Sequence, residues 1–306
     1  MRYSGSLTDV PGIWVGHDTD SQARTGCTVV LCPRPAVCGA EVRGAAPGTR
    51  EIDLLKPGNA VQAVNAILLA GGSAFGLSAA DGVMRYCEEH KMGVETHSAF
   101  VPIVPAAVIY DLDVGSAAIR PDSASGYRAC ENASADPVVQ GRVGVGAGAT
   151  FAKAFGPEAM GFSGVGSASL KMASGVTVAA LAVMNGYGDV YDLHSGERVA
   201  GAIDPATGEP LNTLDCMANG MSGYQCVGQN TTLVVLATDA KLDKTMANRL
   251  AVSVHDGYAI AIRPVHTDQD GDTAFVLSAG EKEESFINLC AAAVEVTARA
   301  IVNAVL

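Results

Sequence analysis

The chain has 306 residues, 48% of them hydrophobic and 17% charged, which is enough to fill one large α/β core or two ordinary ones. The net charge of -12 and the lack of a Lys/Arg cluster exclude a surface built for nucleic acid. The N-terminus lacks the apolar stretch of a signal peptide, and the apolar run 176–184 is too short to cross a bilayer. We therefore expect a soluble, cytoplasmic protein with no membrane partner.

Eight cysteines are scattered along the chain, at positions 27, 32, 38, 87, 130, 216, 226 and 290. Most lie in apolar segments of a chain much larger than disulfide-stapled domains, so we expect free thiols. The sequence contains neither a CxxC pair nor an HExxH motif, and we expect no metal site.

The first half of the chain alternates predicted strands and helices. Strands or extended segments are predicted at 27–31, 37–42 and 101–110. Helices are predicted at 59–69, at 77–89 and within 121–137, from the spacing of their apolar residues and from composition. Pro33 and Pro35 break the first strand from the second, which predicts a strand pair.

The second half begins with a glycine-rich, strand-like stretch at 143–150. Further strands are predicted at 175–184, from Thr231 onwards, at 258–262 and at 273–277. Helices are predicted at 241–255, ended by Asp256-Gly257, and at 283–306. The Asn185-Gly186 step predicts a hairpin turn, and the polar segment 197–229 predicts a loop.

Two glycine-rich segments suggest chemistry but match its motifs poorly. The stretch 144–148 lacks the third glycine of a dinucleotide-binding loop, so close packing is favoured and no cofactor is expected. The segment 71–76 contains Ser73, but a nucleophile elbow needs a preceding strand, and here a helix is predicted. We interpret 71–76 as a turn between helices, with Ser73 a pocket residue at most.

Thr231 lies where a polar loop meets a buried strand. On local sequence alone it is an ordinary strand threonine, and Asn230 is an ordinary turn residue. Blocks spread along the whole chain, however, resemble the P1-type peptidases, the L-aminopeptidase/D-esterase family. These blocks lie at 16–18, 24–28, 43–51, 69–82, 105–111, 185–190, 230–239 and 270–272.

The resemblance implies the fold and the processing of the chain. Relatives of this family include β-peptidyl aminopeptidases and nylon-oligomer endo-hydrolases, and they look like N-terminal nucleophile (Ntn) hydrolases. It implies a four-layer α-β-β-α sandwich with ornithine-acetyltransferase-like topology, and a homotetramer without cofactor. It also implies that residues 1–306 form one self-processing domain, cut between Asn230 and Thr231 into 1–230 and 231–306.

The cut would make Thr231 its own base, because it exposes an α-amine with an ordinary pKa near 8 beside the hydroxyl. By resemblance, Tyr110 and Asn185 lie next to the nucleophile, where they would stabilise an oxyanion. Lys153 matches a lysine that would lower the pKa of the amine. Asp270 and Asp272 match an acidic pair that would orient Thr231. Taken alone, these five are ordinary strand-end, turn and surface residues.

One position departs from the aminopeptidase pattern. Those enzymes carry an acidic residue two positions before the tyrosine, where it holds the amine of the substrate, and this chain has Val108. The departure favours an amide hydrolase acting on small peptides, amino-acid amides or 6-aminohexanoate (nylon-type) oligomers. The alternatives are a β-peptidyl or L-/D-aminopeptidase, an acyltransferase of the ornithine-acetyltransferase type, and a non-catalytic scaffold.

Overall fold

The structure is a computed structural model that describes residues 2–221, 223–224 and 228–306. Within these residues the strands are β1 (Trp14–Asp20), β2 (Thr25–Val42), β3 (Thr49–Arg50), β4 (Ala63–Ala70), β5 (Val94–Glu95), β6 (Phe100–Val101), β7 (Ala106–Val108), β8 (Thr150–Phe151), β9 (Gly161–Phe162), β10 (Val165–Lys171), β11 (Thr177–Val183), β12 (Asp189–Tyr191), β13 (Arg198–Ala200), β14 (Leu233–Ala240), β15 (Ile262–Arg263) and β16 (Thr273–Lys282). The α-helices are α1 (Ala79–Glu89), α2 (Ser123–Glu131), α3 (Thr213–Ala218), α4 (Lys244–Ala261) and α5 (Phe286–Asn303).

The long strand β2 belongs to both halves of the main sheet. Its first part, up to Leu31, pairs with β1 and β4, and its last part, 37–42, pairs with β16. The register with β4 shifts between Leu31 and Ala36, around Pro33 and Pro35. Proline has no amide hydrogen to donate to a neighbouring strand, so pairing is interrupted there. The prediction of two separate strands was therefore wrong, because one strand continues through the irregularity.

The main sheet follows the order β10-β11-β14-β16-β2-β4-β7-β3, with β1 attached to β2. Helices α4 and α5 cover one face of β10, β11, β14 and β16, and α1 and α2 cover β4 and the first part of β2. A third core lies between these two parts of the sheet, with Leu181 and Val235 from one part and Val30 and Ile67 from the other. The layers are thus helix, strand, strand and helix, and the predicted α-β-β-α sandwich is confirmed.

The segment 59–69 is not the predicted helix. From Ala63 onwards it belongs to β4, in which 64–70 are buried. A strand covered on both faces reads as a continuous apolar run, and such a run does not distinguish strand from helix. The glycine-rich segment 71–76 therefore follows a strand, and the interpretation of it as a turn between helices was wrong.

Three further predictions of local structure were wrong. Helix α4 continues through Asp256-Gly257 to Ala261, so no strand forms at 258–262. Gly257 does not end the helix; its lack of a side chain instead allows α5 to pack closely there, at Thr297. No hairpin forms at Asn185-Gly186, since β12 leaves the main sheet to pair with β13 and β15. The stretch 143–150 is mostly a 3-10 helix rather than a strand.

The remaining elements agree with the predictions. The strands at 177–183, 233–240 and 273–282 and the helices at 79–89, 123–131 and 286–303 are present. The polar segment 197–229 also contains the short elements β13 and α3, and part of it lies outside the described residues. The seven described cysteines are free thiols, and Cys226 lies outside the described residues.

Helix α5 is long and apolar enough to cross a membrane, with 18 residues and a mean hydropathy of 1.3. More than half of it is buried inside the protein, however, where it packs on β10 and β11. A core helix of an α/β sandwich has this composition, so α5 is a layer of the fold.

Gly39 on β2 lies against the backbone of α4, which gives a test of the packing. A Cβ at Gly39 would lie 2.3 Å from the amide nitrogen of Asn248. We expect Gly39→Ala to lower the free energy of unfolding by about 1 to 3 kcal/mol, because the helix must move away. Gly58→Ala is the control, since a Cβ there meets no atom of the described residues within 4 Å. Equal urea unfolding midpoints for the two variants would contradict this account.

Candidate active site

The peptide bond between Asn230 and Thr231 lies just before the central strand β14. The amide of Thr231 donates to the Asn185 carbonyl oxygen at 2.9 Å, beyond the end of β11. The amide of Gly271, just before β16, donates to the Asn230 carbonyl oxygen at 2.7 Å. Thr231 is only 4% exposed. The bond is thus held from both sides by the strands that flank β14.

The hydroxyl of Thr231 points at the bond that precedes it. Its Oγ1 donates to the Asn230 carbonyl oxygen at 2.6 Å. Gly271 is packed so closely here that a Cβ would lie 2.7 Å from this Oγ1. The Asn230 oxygen therefore accepts from two donors, and a backbone amide aimed at a carbonyl oxygen is also the usual donor to an oxyanion.

Lys153 and Asn185 form a buried pair next to the same bond. The Lys153 ammonium donates to Asn185 Oδ1 at 2.9 Å and to the Gln229 carbonyl oxygen at 2.8 Å. Asn185 Nδ2 donates to the carbonyl oxygens of Tyr110 and Gln229 at 3.3 and 3.2 Å. Thr150, which the sequence did not suggest, fixes the amide of Asn185 by donating its backbone N–H to Oδ1 at 3.0 Å. The structure thus brings Lys153, Asn185 and Thr231 together.

Tyr110 approaches the site through its backbone, whereas its side chain faces a cavity. Its hydroxyl donates to Asp113 at 3.0 Å, and partial burial together with this hydrogen bond raises the pKa of Tyr110. The cavity has a volume of about 300 Å³. It is lined in part by Tyr110, Asp113, Thr150, Lys153, Tyr224 and Gln229.

The turn after β4 anchors the loop that carries Tyr110. The amide of Gly72 donates to Asp111 Oδ1, and the hydroxyl of Thr25 donates to Asp111 Oδ2, each at 2.7 Å. Burial raises the pKa of Asp111. Ser73 has a left-handed backbone (φ 54°), and its amide donates to the Ile109 carbonyl oxygen. The segment 71–76 thus holds the Tyr110 loop in place.

Asp270 and Asp272 lie on either side of Gly271 and are fully buried. Asp272 Oδ1 accepts from the amide of Thr232 at 2.7 Å, and Oδ2 accepts from His266 Nδ1 at 2.8 Å. Asp270 Oδ2 accepts from the amide and the hydroxyl of Thr267. Both residues therefore lie in the turn around Gly271, but in the continuous chain Asp272 binds the amide of the residue after Thr231, and Asp270 binds Thr267 of its own loop.

A family model for peptidase family S58 matches residues 5–306. The chain belongs to this family. A protein named an uncharacterized aminopeptidase, from Mycobacterium bovis, is 46% identical over 289 residues, covering 90% of this chain and 81% of its own. A 6-aminohexanoate-oligomer endohydrolase from Kocuria sp. is 32% identical over 288 residues, covering 92% and 78%. Membership of the family makes the protein a hydrolase.

Solved structures show the same fold at lower sequence identity. A β-aminopeptidase from Burkholderia sp. superposes with a TM-score of 0.71 at 23% identity, covering 98% of this chain and 85% of the other. An L-aminopeptidase D-Ala-esterase/amidase from Ochrobactrum anthropi, described as a variant of the Ntn-hydrolase fold, superposes with a TM-score of 0.70 at 18% identity, with the same coverage. The predicted Ntn-hydrolase type of sandwich is therefore confirmed.

The buried carboxyl of Asp270 gives a prediction about pH. Burial, then the nearby charge of Asp272, raises the pKa of Asp270 above its usual value. The folded state therefore binds this proton more tightly than the unfolded state, and the stability that the proton contributes is lost as the pH rises through the folded-state pKa.

We expect Asp270→Asn to be more stable than the parent at about pH 8 by roughly 1 to 3 kcal/mol, with the difference shrinking towards about pH 4. Thermal unfolding across this range measures it. Asp268→Asn, at an exposed neighbouring carboxyl, is the matched control. A difference between Asp270→Asn and the parent that does not change with pH would contradict the burial argument.

Proposed function

We propose that this protein is an Ntn amide hydrolase that activates itself by cutting between Asn230 and Thr231. The observation that carries the proposal is the 2.6 Å contact between Thr231 Oγ1 and the oxygen of the Asn230 carbonyl. A hydroxyl held against the preceding peptide carbonyl is placed for attack on that same carbonyl. The products would be residues 1–230 and 231–306.

In the proposed cut, Thr231 Oγ1 bonds to the Asn230 carbonyl carbon while its proton passes to a nearby base or water. The oxyanion that forms accepts a hydrogen bond from the Gly271 N–H, which already donates to this oxygen in the continuous chain. The C–N bond then breaks, the amine of Thr231 takes up a proton, and an ester joins the two parts. Water hydrolyses this ester, leaving a carboxylate on Asn230 and a free Thr231.

After the cut, the α-amine of Thr231 would take the proton of Oγ1 directly or through water as the hydroxyl attacks a substrate amide. Lys153 favours the uncharged amine, because a nearby positive charge lowers its pKa. The Gln229 carbonyl occupies Lys153 and Asn185 in the continuous chain. Once the chain end is free to leave, these donors become available to the substrate carbonyl, and the acyl-enzyme is then hydrolysed by water.

The cavity next to Lys153 suggests the class of substrate. It carries the ammonium of Lys153 and the carboxylate of Asp113, which suits a small amide with charged ends. An ω-amino-acid oligomer such as a 6-aminohexanoate oligomer has such ends, and a relative at 32% identity is named as an endohydrolase of these oligomers. We further propose that the protein works in the cytoplasm as a homotetramer.

A second candidate, aminopeptidase activity, is favoured by Asp113. Val108, at the position where the aminopeptidase pattern has an acidic residue, is buried in the core with residues of α1 and α2 and contributes no charge. Asp113 instead places an exposed carboxylate in the cavity, five positions later.

Turnover of acetylornithine in place of amide hydrolysis would favour an acyltransferase of the ornithine-acetyltransferase type.

The proposed cut is tested by intact-mass analysis under denaturing conditions. We expect two fragments from the native sequence and a single, inactive chain of 306 residues from Thr231→Val, which lacks the hydroxyl. Thr232→Val is the matched control, because its hydroxyl contacts Met184 Sδ and has no part in the reaction. An uncut native chain, or a cut Thr231→Val chain, would contradict the nucleophile assignment.

The proposed substrate class is tested with a panel of L-, D-, β- and ω-amino amides and their N-acetylated forms. We expect Asp113→Asn to raise KM about tenfold for amides with a free amine, since a charge-assisted contact is lost. The N-acetylated amides serve as the control and should be unaffected, because the side-chain oxygen of the new asparagine would still accept from Tyr110. Equal changes in KM for the free-amine and the N-acetylated amides would show that Asp113 does not bind the amine.

A further inference from the structure

Behind the candidate site, two histidines and Asp272 form a buried chain of hydrogen bonds. His266 Nδ1 lies 2.8 Å from Asp272 Oδ2, and His266 Nε2 lies 3.2 Å from His255 Nδ1. At the far end, His255 Nε2 lies 3.1 Å from the Glu41 carbonyl oxygen. The backbone amide of His266, in a left-handed conformation (φ 56°), also donates to Asp272 Oδ2. The sequence motifs gave no indication of this hydrogen-bonded group of side chains.

The hydrogens needed along this chain of hydrogen bonds determine the charges of its side chains. The Glu41 carbonyl only accepts, so His255 Nε2 carries a hydrogen. The contact between the two rings needs one hydrogen, and so does the contact with Asp272. Three hydrogens are therefore shared by four ring nitrogens and one carboxyl group. Two neutral imidazoles hold only two, so either one ring is positively charged or Asp272 is protonated.

The hydrogen bonds of Asp272 place this extra proton on a ring. Its carboxylate accepts from the amide of Thr232, the amide of His266 and the His266 ring, and three donors favour the ionised form. Of the two rings, His255 is the less able to carry charge, because burial lowers its pKa to about 4. His266, whose ring contacts the Asp272 carboxylate, is therefore the ring that carries the extra proton.

We propose that His266 carries a positive charge, that His255 is the neutral Nε2–H form, and that this pair positions Asp272 and sets the pH dependence of the site. The proposal rests on the proposed function for its catalytic consequence. Asp272 holds the amide of Thr232, the residue after the nucleophile. His266 is thus a positioning residue that acts through Asp272 and does not touch the substrate.

The charge on His266 also matters for the amine that the cut would release. The buried carboxylates of Asp270 and Asp272, on either side of Gly271, would raise the pKa of that amine and keep it protonated, whereas a positive His266 offsets one of them. The charged and titratable groups that face the pair are Asp270 and Asp272, Tyr258 from α4, and Arg43 with its partner Glu41 at the end of β2.

Nitrogen-15 NMR of histidine-labelled Thr231→Ala protein tests the proton assignment without any enzymatic activity. We expect His266 to be protonated on both nitrogens at about pH 7 and His255 on Nε2 only, with the signals assigned by comparison with His266→Asn and His255→Asn. Two neutral rings, or the charge on His255, would overturn the proposal. The result stands even if the chain proves not to cut itself.

The catalytic consequence is tested with His266→Asn, since Asn accepts a left-handed backbone and can still donate to Asp272 but holds no charge. We expect kcat to fall about tenfold at about pH 6 with KM unchanged. This deficit should narrow at the pH where NMR shows His266 losing its proton. His194→Asn is the control, because His194 pairs with Glu295 on the surface. A deficit that stays constant through that pH, or an equal deficit in His194→Asn, would overturn the role of the charge.

Discussion

The pairing register of three adjacent strands brings together Asn185, Thr231 and the turn at Gly271, on which the rest of the candidate site depends. Val183 of β11 pairs with Leu233 of β14, and Leu233 pairs with Thr273 of β16. Because β11 is antiparallel to β14 and β16 is parallel to it, the end of β11 and the starts of the other two meet at one edge. Asn185 and Thr231 each lie two residues beyond this row, so they face each other. A slip by one residue would turn the side chains to opposite faces.

This edge buries more polar and charged groups than a strand end needs for stability. Asn185, Asp272 and Asp270 are almost wholly buried, and Lys153 is only 7% exposed. Burial of such groups is costly unless each finds partners, and here each makes at least two hydrogen bonds. Well-packed apolar residues of similar volume can often replace a whole buried ion pair without loss of stability, so stability alone does not call for buried charges. Their presence therefore supports the proposed chemistry at the Asn230-Thr231 bond.

Local sequence predicted the strand ends at which the candidate site lies, whereas the roles of the residues there came only from the family resemblance. Asn185, Thr231 and the Asp270-Gly271-Asp272 turn each lie at the end of a buried strand, and those strands were recognisable. His266 was missed because its partners, His255 and Asp272, are brought to it by the packing of α4 on β16. Asp113 was missed because the aminopeptidase pattern pointed to Val108, which faces the helices. The misreading of β4 had a related origin, since burial on both faces removes the period that identifies a strand.

The contacts of Gln229 connect the two stages of the proposed mechanism. Lys153 and Asn185 both donate to its carbonyl oxygen, and in the proposed mechanism the residues before the cut would occupy the place of the acyl part of a substrate. While the chain is continuous, this occupant is tethered and excludes other amides. Breaking the Asn230-Thr231 bond removes the tether from one side only, since Thr231 remains held by β14 and by the Asn185 carbonyl. In the proposed mechanism, the same donors that hold the Gln229 carbonyl before the cut would then bind the substrate carbonyl, so activation would need no rearrangement of the strands.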